Sequence, residues 1–460
     1  MDREVTLAEV LEARERRALR QRALLEERGL PVISFCMNIA GPVKNGPAIR
    51  RAFREGLLRL NEALRGARLR AEHCERTDRP AGCEALLAVR GDPWAIKRLC
   101  IELEDEDDLG RLFDLDVLTP GGEKLDREYL NLPPRPCLIC GRAGKGCASR
   151  RVHSAVELQL RTRRILTEYF ARTDGDRIAG QAVRALLCEV CATPKPGLVD
   201  RANSGSHRDM DIFTFMDSAA ALLPYLRDAF AIGRRTAGLA PEETFRRLRR
   251  MGLRAERAMF GATRGVNTHK GAVFSMGTAC AAAGRLWTLE QPCASLDSLC
   301  GECARMSAAA VADDLAAIRT GSAETVGQRL YRDHGMRGVR GELAGGLPSV
   351  ARIGLPALRS ALSRGASLER AGIYALLCLI AGVEDTNLYA RGGLEGQRWA
   401  SEQAAALVRD KEPPALDALI ALDRSFIERN LSPGGCADLL AITFFLYFYA
   451  ELGASEGTAI

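Results

Sequence analysis

Gly110-Arg111-Leu112-Phe113-Asp114-Leu115-Asp116-Val117-Leu118, followed by Thr119-Pro120-Gly121-Gly122, decides the character of the N-terminal part of this chain. Apolar and polar residues alternate over residues 111–118, which predicts a strand. Phe113, Leu115 and Val117 then face a core, and Asp114 and Asp116 share the other face. The Pro-Gly-Gly run stops the strand. Two carboxylates on one strand face suit Mg²⁺ on a phosphate-bearing substrate, and the same pattern alone also fits a solvated strand face.

Working outward, residues 32–39 read as a strand ended by Gly41-Pro42, and residues 85–89 as a buried strand. Residues 6–28 are charged and helix-prone, with Leu7, Val10, Leu11, Ala18 and Leu19 as the apolar stripe. A helix is expected over 47–64 with Pro47 in its first turn, and another after Asp92-Pro93, an N-cap followed by proline. Strands alternating with helices predict an α/β (α+β) domain. Beyond about residue 154 the pattern changes. Residues 178–191, 212–230, 245–260, 273–286 and 371–383 are long and helix-like, and glycine-rich polar loops separate them, so an all-α domain is expected. The boundary is placed at 166/167, giving domains 1–166 and 167–460, with a helical junction over 154–173 and a hinge at Arg172-Thr173-Asp174-Gly175-Asp176.

The bulk numbers narrow the function classes. The 460 residues carry a formal net charge of +6, which suits anionic substrates without requiring nucleic acid. Aromatic residues make up only 5%, and no stretch interleaves them with clustered basic residues, which argues against a nucleic-acid platform. The longest apolar run, 439–450, is short of the ~20 residues of a membrane span. The first residues, MDREVTLAEV, carry acids and do not read as a signal peptide. Fifteen cysteines in such a chain read as reduced thiols or metal ligands, and a cytoplasmic location follows as an expectation.

Several polar segments carry chemistry. Asn38-Ile-Ala-Gly-Pro-Val-Lys44-Asn45 is a glycine/proline loop able to present N–H groups and an ammonium to phosphate; an ordinary turn is the plain alternative. Cys137-x2-Cys140-x6-Cys147-x5-His153 holds four ligand types suited to tetrahedral zinc. A basic loop with reduced thiols fits as well, as does phosphate binding by Arg150, Arg151 and His153. Cys188-x2-Cys191 and Cys300-x2-Cys303 read as core thiols on helix faces.

In the second half, Cys191-Ala-Thr-Pro-Lys-Pro-Gly-Leu-Val-Asp-Arg leads into a loop with Lys195, Asp200, Arg201, Asn203, His207, Arg208, Asp209 and Asp211. Asp209 alone would serve as a helix cap, which leaves His207, Lys195 and Asp211 unexplained. Gly265-Val-Asn267-Thr-His269-Lys270-Gly precedes an apolar helix whose N-terminus attracts anions. His334-Gly-Met-Arg337-Gly-Val-Arg340-Gly-Glu342 is a third loop. Gly382-Val-Glu384-Asp385-Thr-Asn387-Leu-Tyr-Ala-Arg391-Gly-Gly is the fourth. Glu384 and Asp385 at or near a helix C-terminus would oppose its dipole, and within an apolar helix they would cost more; either placement calls for a compensating cation.

Residues 4–165, through Phe35-Cys-Met-Asn-Ile-Ala-Gly-Pro-Val-Lys-Asn, Gly110-Arg-Leu-Phe-Asp-Leu-Asp-Val and Cys137-Leu-Ile-Cys-Gly, resemble the citrate lyase holo-acyl-carrier-protein synthase family. Residues 175–455 resemble the triphosphoribosyl-dephospho-CoA synthase family. That resemblance rests on Glu189-Val-x3-Pro-Lys-Pro-Gly-Leu-Val-Asp, His207-Arg-Asp-Met-Asp, Gly265-Val-Asn-Thr-His-Lys-Gly, His334-Gly-x-Arg-Gly and Asp385-Thr-Asn with Arg391-Gly-Gly, and Leu347 stands where phenylalanine is expected.

Asp114-x-Asp116 on a strand is the usual arrangement in nucleotidyltransferases, so the first domain is expected to be nucleotidyltransferase-like, and the resemblances imply two consecutive reactions. ATP and 3′-dephospho-CoA give 2′-(5″-triphosphoribosyl)-3′-dephospho-CoA and adenine. The phosphoribosyl-dephospho-CoA is then transferred to a serine of the citrate lyase acyl carrier protein (its gamma subunit), releasing diphosphate. Asp114, Asp116, Asp209, Asp211, His269, Glu342 and Asp385 become the candidate catalytic groups, and Asp114, Asp116 and Asp385 the candidate Mg²⁺ ligands. Asn38, Lys44, Asn45, Arg111, Lys195, Asp200, Arg201, His207, Asn267, Lys270, His334, Arg337, Asn387 and Arg391 become candidate substrate contacts. The same chemistry serving malonate decarboxylase and a non-enzymatic nucleotide-binding protein are the competing readings, the latter disfavoured by the carboxylates.

Overall fold

Phe35, on the first strand, is fully buried; its ring stacks on Phe53 at 4.8 Å and meets Phe113 edge-on at 5.5 Å. This aromatic cluster joins the sheet to a helix. It also explains Gly56, where an added Cβ would lie 2.6 Å from the Phe35 ring and 2.9 Å from that of Phe113. The computed structural model describes residues 3–142, 146–147, 150, 152–320 and 325–458. The chain divides into two compact units, Met1–Ala171 and Arg172–Ile460.

The first unit is α+β. Helix α1 (Leu7–Arg28), strand β1 (Val32–Met37), α2 (Pro47–Gly66), β2 (Arg70–Arg79), β3 (Gly82–Arg90), α3 (Pro93–Asp105), β4 (Phe113–Leu118) and β5 (Lys124–Leu125) follow in order. The sheet order is β2-β3-β1-β4-β5, and every pairing is antiparallel. The expected strands are present, but the alternation with helices gave no parallel crossover. Residues 110–112 form a short 3₁₀ turn instead of the start of β4. β2 is an additional edge strand whose polar residues alternate between exposed and half-buried. As expected, Asp92 caps α3 by accepting from Ala95 N at 3.0 Å, and Pro47 opens α2.

The expected apolar stripe of α1 does not face the core: Leu7, Leu11 and Leu19 are exposed, and Ala18 also lies at the surface. Ala13, Leu24 and Leu25 are buried instead, the last two against Val32, Leu86 and Ala88. Ion pairs anchor the rest, Arg17 to Glu84 and Arg20 to Glu75, so part of the packed face is charged.

The second unit is helical. It holds the later turns of α4 (Ala155–Cys191), then α5 (Ile212–Arg235), α6 (Pro241–Ala262), α7 (Lys270–Leu286), α8 (Leu296–Thr320), α9 (Val326–His334), α10 (Gly338–Ala344), α11 (Leu355–Ser363), α12 (Leu368–Gly382), α13 (Thr386–Leu407), α14 (Leu416–Glu428) and α15 (Gly434–Thr458). The expected hinge at Arg172–Asp176 is overturned, because these residues lie inside α4. Gly175 marks close packing there: a Cβ would sit 2.8 Å from the Phe230 ring. Asp174 is buried and accepts from Trp287 Nε1 at 2.8 Å.

The apolar run near the C-terminus belongs to a longer helix than expected. By length and composition Gly434–Ala454 would suffice to cross a membrane, but 67% of its apolar window is buried inside the protein. Phe444, Phe445, Phe448 and Tyr449 are core residues, so burial in the helical unit accounts for its hydrophobicity.

Candidate functional site

β4 lies between β1 and β5, and its residues alternate between buried and half-buried. Asp114 and Asp116 therefore lie on one face, as the alternation predicts. Both line a cleft of about 920 Å³ in the first unit, together with Asn38, Lys97, Glu104, Arg111, Arg127 and Arg135. Lys124 Nζ pairs with Asp116 at 2.8 Å, and the Cys36 thiol donates to Asp114 at 3.4 Å.

Lys97, Glu104 and Arg135 are missing from the sequence candidates and form the cleft's frame. Arg135 donates to the carbonyls of Phe113 at 2.7 Å and Arg111 at 3.1 Å, and lies 3.4 Å from Glu104. Lys97 Nζ donates to Leu115 O at 3.1 Å, and Glu104 accepts from Leu115 N at 2.9 Å. Burial pushes the Glu104 carboxyl up, against the pull of Arg135. Lys97 and Glu104, seven residues apart, share the buried face of α3, which is the one signal of their place.

Among the described residues five buried polar side-chain atoms lack a hydrogen-bond partner, and three of them, Arg127 Nε, His153 Nε2 and Thr162 Oγ1, belong to residues lining this cleft. Buried polar groups are seldom left unpaired, so the concentration here marks a place for a ligand. Two candidates point elsewhere. Lys44 donates to Ile39 O, and Asn45 donates to Arg79 O at 2.7 Å, which ties this loop to the β2–β3 hairpin end. Arg111 lines the cleft and donates to Pro136 O.

In the helical unit the four glycine-flanked loops converge on the segment that opens α15, Asn430-Leu-Ser-Pro-Gly-Gly-Cys-Ala-Asp438. The first loop reaches it through His207 Nε2, 2.9 Å from Ser432 Oγ, and through Arg391 Nη1, which donates to Ser206 O at 3.0 Å and Asn430 Oδ1 at 3.0 Å. Burial and then Arg391 hold the His207 imidazole below its usual range. The second loop reaches it at Gly271, where a Cβ would lie 1.9 Å from Asp438 Oδ2. The third and fourth line one cleft of about 400 Å³ with Gly435 and Leu439, contributing Arg337, Glu342, Glu384 and Asp385.

Asp385 is buried and sits at a helix N-terminus, which corrects the expectation of a C-terminal acid needing a cation. α12 ends at Gly382, and Asp385 caps α13 by accepting from Asn387 N at 2.7 Å and Leu388 N at 3.2 Å. Its other oxygen accepts from Cys436 N at 2.7 Å. The compensating charge is that of two helix N-termini. Glu342 accepts from Ser349 N at 3.0 Å and Ser349 Oγ at 2.6 Å.

Other candidates have local partners. Lys195 is buried and paired with Glu189 at 2.5 Å. Asp200 closes its own turn on the N–H groups of Lys195, Ala202 and Asn203. Arg201 pairs with Glu369. Asn267 accepts from Lys270 N at 3.3 Å, and Lys270 Nζ lies 3.4 Å from Glu256. His334 touches the Tyr389 hydroxyl at 3.3 Å. The Asn387 side chain packs beside Gly434. Asp209 is exposed, and Asp211 rather than Asp209 caps α5, accepting from Thr214 N at 2.9 Å.

His269 is buried on Phe215, with Nδ1 2.7 Å from Ser218 Oγ and Nε2 unpartnered. Burial, reinforced by Lys195, pushes its pKa down to about 3, so the ring is neutral at physiological pH. Asp438 and Asp423 are functional-type carboxyls that the sequence reading passed over. Burial, with Glu189 and Asp385 nearby, pushes the Asp438 carboxyl up to about 8. Asp423 fixes the first loop, accepting from Gly197 N at 2.9 Å and Asn203 Nδ2 at 2.8 Å.

Comparison with known proteins assigns the two parts of the chain to two families. Residues 5–169 match the family described as apo-citrate lyase phosphoribosyl-dephospho-CoA transferase, and residues 175–456 match that described as ATP:dephospho-CoA triphosphoribosyl transferase. The protein named CitXG of Haemophilus influenzae is 36% identical over 458 residues, covering 96% of this chain and 96% of the relative. That of Leuconostoc mesenteroides subsp. cremoris is 33% identical over 458 residues, covering 96% of this chain and 97% of the relative. A Vibrio cholerae protein named probable 2-(5″-triphosphoribosyl)-3′-dephosphocoenzyme-A synthase is 44% identical over 281 residues, covering 60% of this chain and 89% of the relative. With both family regions present in order and full-length relatives at this identity, the chain belongs to the CitXG family, the fusion of apo-citrate lyase phosphoribosyl-dephospho-CoA transferase with ATP:dephospho-CoA triphosphoribosyl transferase.

Proposed function

We propose that each unit carries one of the two transfers and that the carboxylates described above do the chemistry. In the helical unit, the 2′-hydroxyl of 3′-dephospho-CoA attacks C1 of the ATP ribose, the C1–N9 bond to adenine breaks, and the triphosphate stays on the product. The hydroxyl gives up one proton and departing adenine takes one. A carboxyl that is still protonated near neutral pH is a suitable donor to adenine, which is the role we give Asp438. Glu342, at the wall of the adjoining cleft, is the candidate acceptor. Arg337, Arg391 and Lys270 bind phosphates, and neutral His269 presents its free Nε2 as an uncharged contact. Asp385 positions α13 and α15. The observation that carries this reading is the convergence of all four loops on residues 430–438.

In the first unit, which we read as nucleotidyltransferase-like, a serine hydroxyl of the citrate lyase acyl carrier protein attacks the phosphorus nearest the ribose and diphosphate leaves. Asp114 and Asp116 would hold Mg²⁺, which neutralises charge on the departing diphosphate when bound. Their common face and their place in the cleft fit that ion. Asn38, Arg111 and Arg127 orient the substrate. Among the described residues no cysteine is in a disulfide, compatible with a reducing cytoplasm.

Both steps are tested by incubating the protein with ATP, Mg²⁺ and 3′-dephospho-CoA and measuring adenine by chromatography, then adding the apo carrier protein and weighing it. Adenine release without a mass gain would confine the activity to the helical unit; no adenine would remove the first assignment.

A further inference from the structure

Cys137, Cys140, Cys147 and His153 converge in space as well as in sequence: one ligand atom from each lies within 4.8 Å of all the others. Cys140 Sγ and Cys147 Sγ are 3.5 Å apart, too far for a disulfide, whose S–S bond is about 2.0 Å. Tetrahedral zinc, with Zn–S near 2.3 Å and Zn–N near 2.0–2.1 Å, sets its ligand atoms about 3.4–3.8 Å apart. The four atoms are therefore already within about an ångström of the spacing that such a site needs.

A second observation points to a ligand. His153 Nε2 is buried with no hydrogen-bond partner, a costly state for a ring nitrogen unless something binds there. The backbone adds the tight turn that brings the first two thiols together. Gly141 has a left-handed φ of 71°, and its N–H donates to Cys137 O at 3.1 Å while Cys137 N–H donates to Arg142 O at 2.5 Å. Three thiols and an imidazole are a soft donor set that selects Zn²⁺ over Mg²⁺ or Ca²⁺.

We infer that Cys137, Cys140, Cys147 and His153 bind one structural Zn²⁺ that fixes a wall of the first unit's cleft. Cys137, Cys147 and His153 line that cleft, and the chain between Asn131 and Ser154 is largely irregular among its described residues, so few backbone hydrogen bonds hold it. A four-coordinate site of this kind is closed, with no open position for substrate, and its effect on transfer is through order. Of the phosphate-binding alternative for this segment, Arg151 lies outside the described residues.

The test is elemental analysis of the full-length protein purified from zinc-supplemented cells. About one zinc per chain is expected for a single site. Cys137→Ser, Cys147→Ser and His153→Ala lose it, and Cys74→Ser, an exposed thiol elsewhere in the same unit, keeps it. If the cysteine variants do not fold, Co²⁺ exchanged into the wild-type protein should give thiolate-to-cobalt charge-transfer bands and the intense d–d absorption of a tetrahedral ion. Absence of zinc after reconstitution, full zinc retention in Cys137→Ser, or absence of those cobalt bands overturns the inference. The consequence for transfer rests on the functional reading above. Metal-free protein should release adenine at the normal rate and label the carrier protein more slowly, by up to about a hundredfold if the wall is displaced by an ångström. Failure of the metal assay leaves that functional reading standing, and failure of the labelling assay alone leaves the metal site standing.

Discussion

One oxygen of the Asp385 carboxylate receives the Cys436 N–H at 2.7 Å, while the other receives the Asn387 N–H at 2.7 Å. A single buried side chain thus caps α13 and joins it to the start of α15. Burial raises its pKa, and these backbone donors, Cys436 first, pull it back. Asp385→Asn puts an NH₂ group against N–H donors that need an acceptor. We expect it to destabilise the protein by about 2–3 kcal/mol, the cost of a hydrogen-bonded buried charge, and to slow adenine release, while labelling from supplied triphosphoribosyl-dephospho-CoA is kept. Chemical denaturation and the two separate assays check this; an unchanged denaturation midpoint would refute the capping role.

Asp438 makes stability depend on pH in an unusual direction. Its folded pKa, about 8, lies above the ordinary carboxyl value of 3.8. The folded protein therefore holds a proton the unfolded chain has lost, and the stability linked to it is full below pH about 4 and lost as pH rises through about 8. Asp438→Asn removes this dependence. The variant's melting temperature should gain on the wild type between pH 6 and about 9, while its adenine release is low throughout because no proton can be donated. Gly271→Ala, whose Cβ would stand 1.9 Å from Asp438 Oδ2, should displace the carboxyl and lower the same activity. A wild-type rate that stays flat across pH 8 would argue against the donor role.

The Lys195–Glu189 pair is almost completely buried, at 1% and 5% side-chain exposure. Burial pushes Glu189 up, and the ammonium of Lys195 opposes this. Removing one partner strands the other charge, so Lys195→Met and Glu189→Gln should each cost about 3–5 kcal/mol. The double variant should recover most of that loss. If Lys195 instead served phosphate directly, the double variant would regain no stability, and urea titration of the three proteins decides between the two.

Much of this was legible in the chain. Strand alternation placed Asp114 and Asp116 on one face because a strand's period is fixed by its backbone, and the Asp92 cap followed from local chemistry alone. The stripe on α1 was misread because its packing uses Arg17 and Arg20 against Glu84 and Glu75, partners far away in sequence. Residues 172–176 are not the expected hinge because they continue α4, where Gly175 admits the Phe230 ring. Asp438 and Asp423 lie within apolar helices at ordinary spacing, so nothing local marks them. Only tertiary contact with Gly271 and Gly197 shows their place.

The first cleft makes a prediction of its own. Asp114→Asn or Asp116→Asn should lower carrier-protein labelling by at least about a hundredfold, the scale of losing a metal-held transition-state charge. Adenine release should not change. Lys124→Met, which removes the 2.8 Å partner of Asp116, should weaken labelling much less, because the metal would replace that contact. Equal losses for Lys124 and Asp116 would mean that the ion pair, and not a metal, is what the site needs.

Asp211 separates a capping acid from a catalytic one. It is exposed and accepts from Thr214 N at 2.9 Å, while Thr214 Oγ1 accepts from Asp211 N at 3.3 Å, a reciprocal box at the start of α5. The N–H donor holds its carboxyl below the usual range. Asp211→Ala should lower the melting temperature, as loss of a cap does, and Asp211→Ser should restore most of it. Adenine release per folded molecule should stay near wild type in both. A fall of about a hundredfold in the Ser variant, with stability intact, would return Asp211 to the catalytic group, since that scale exceeds anything a cap supplies.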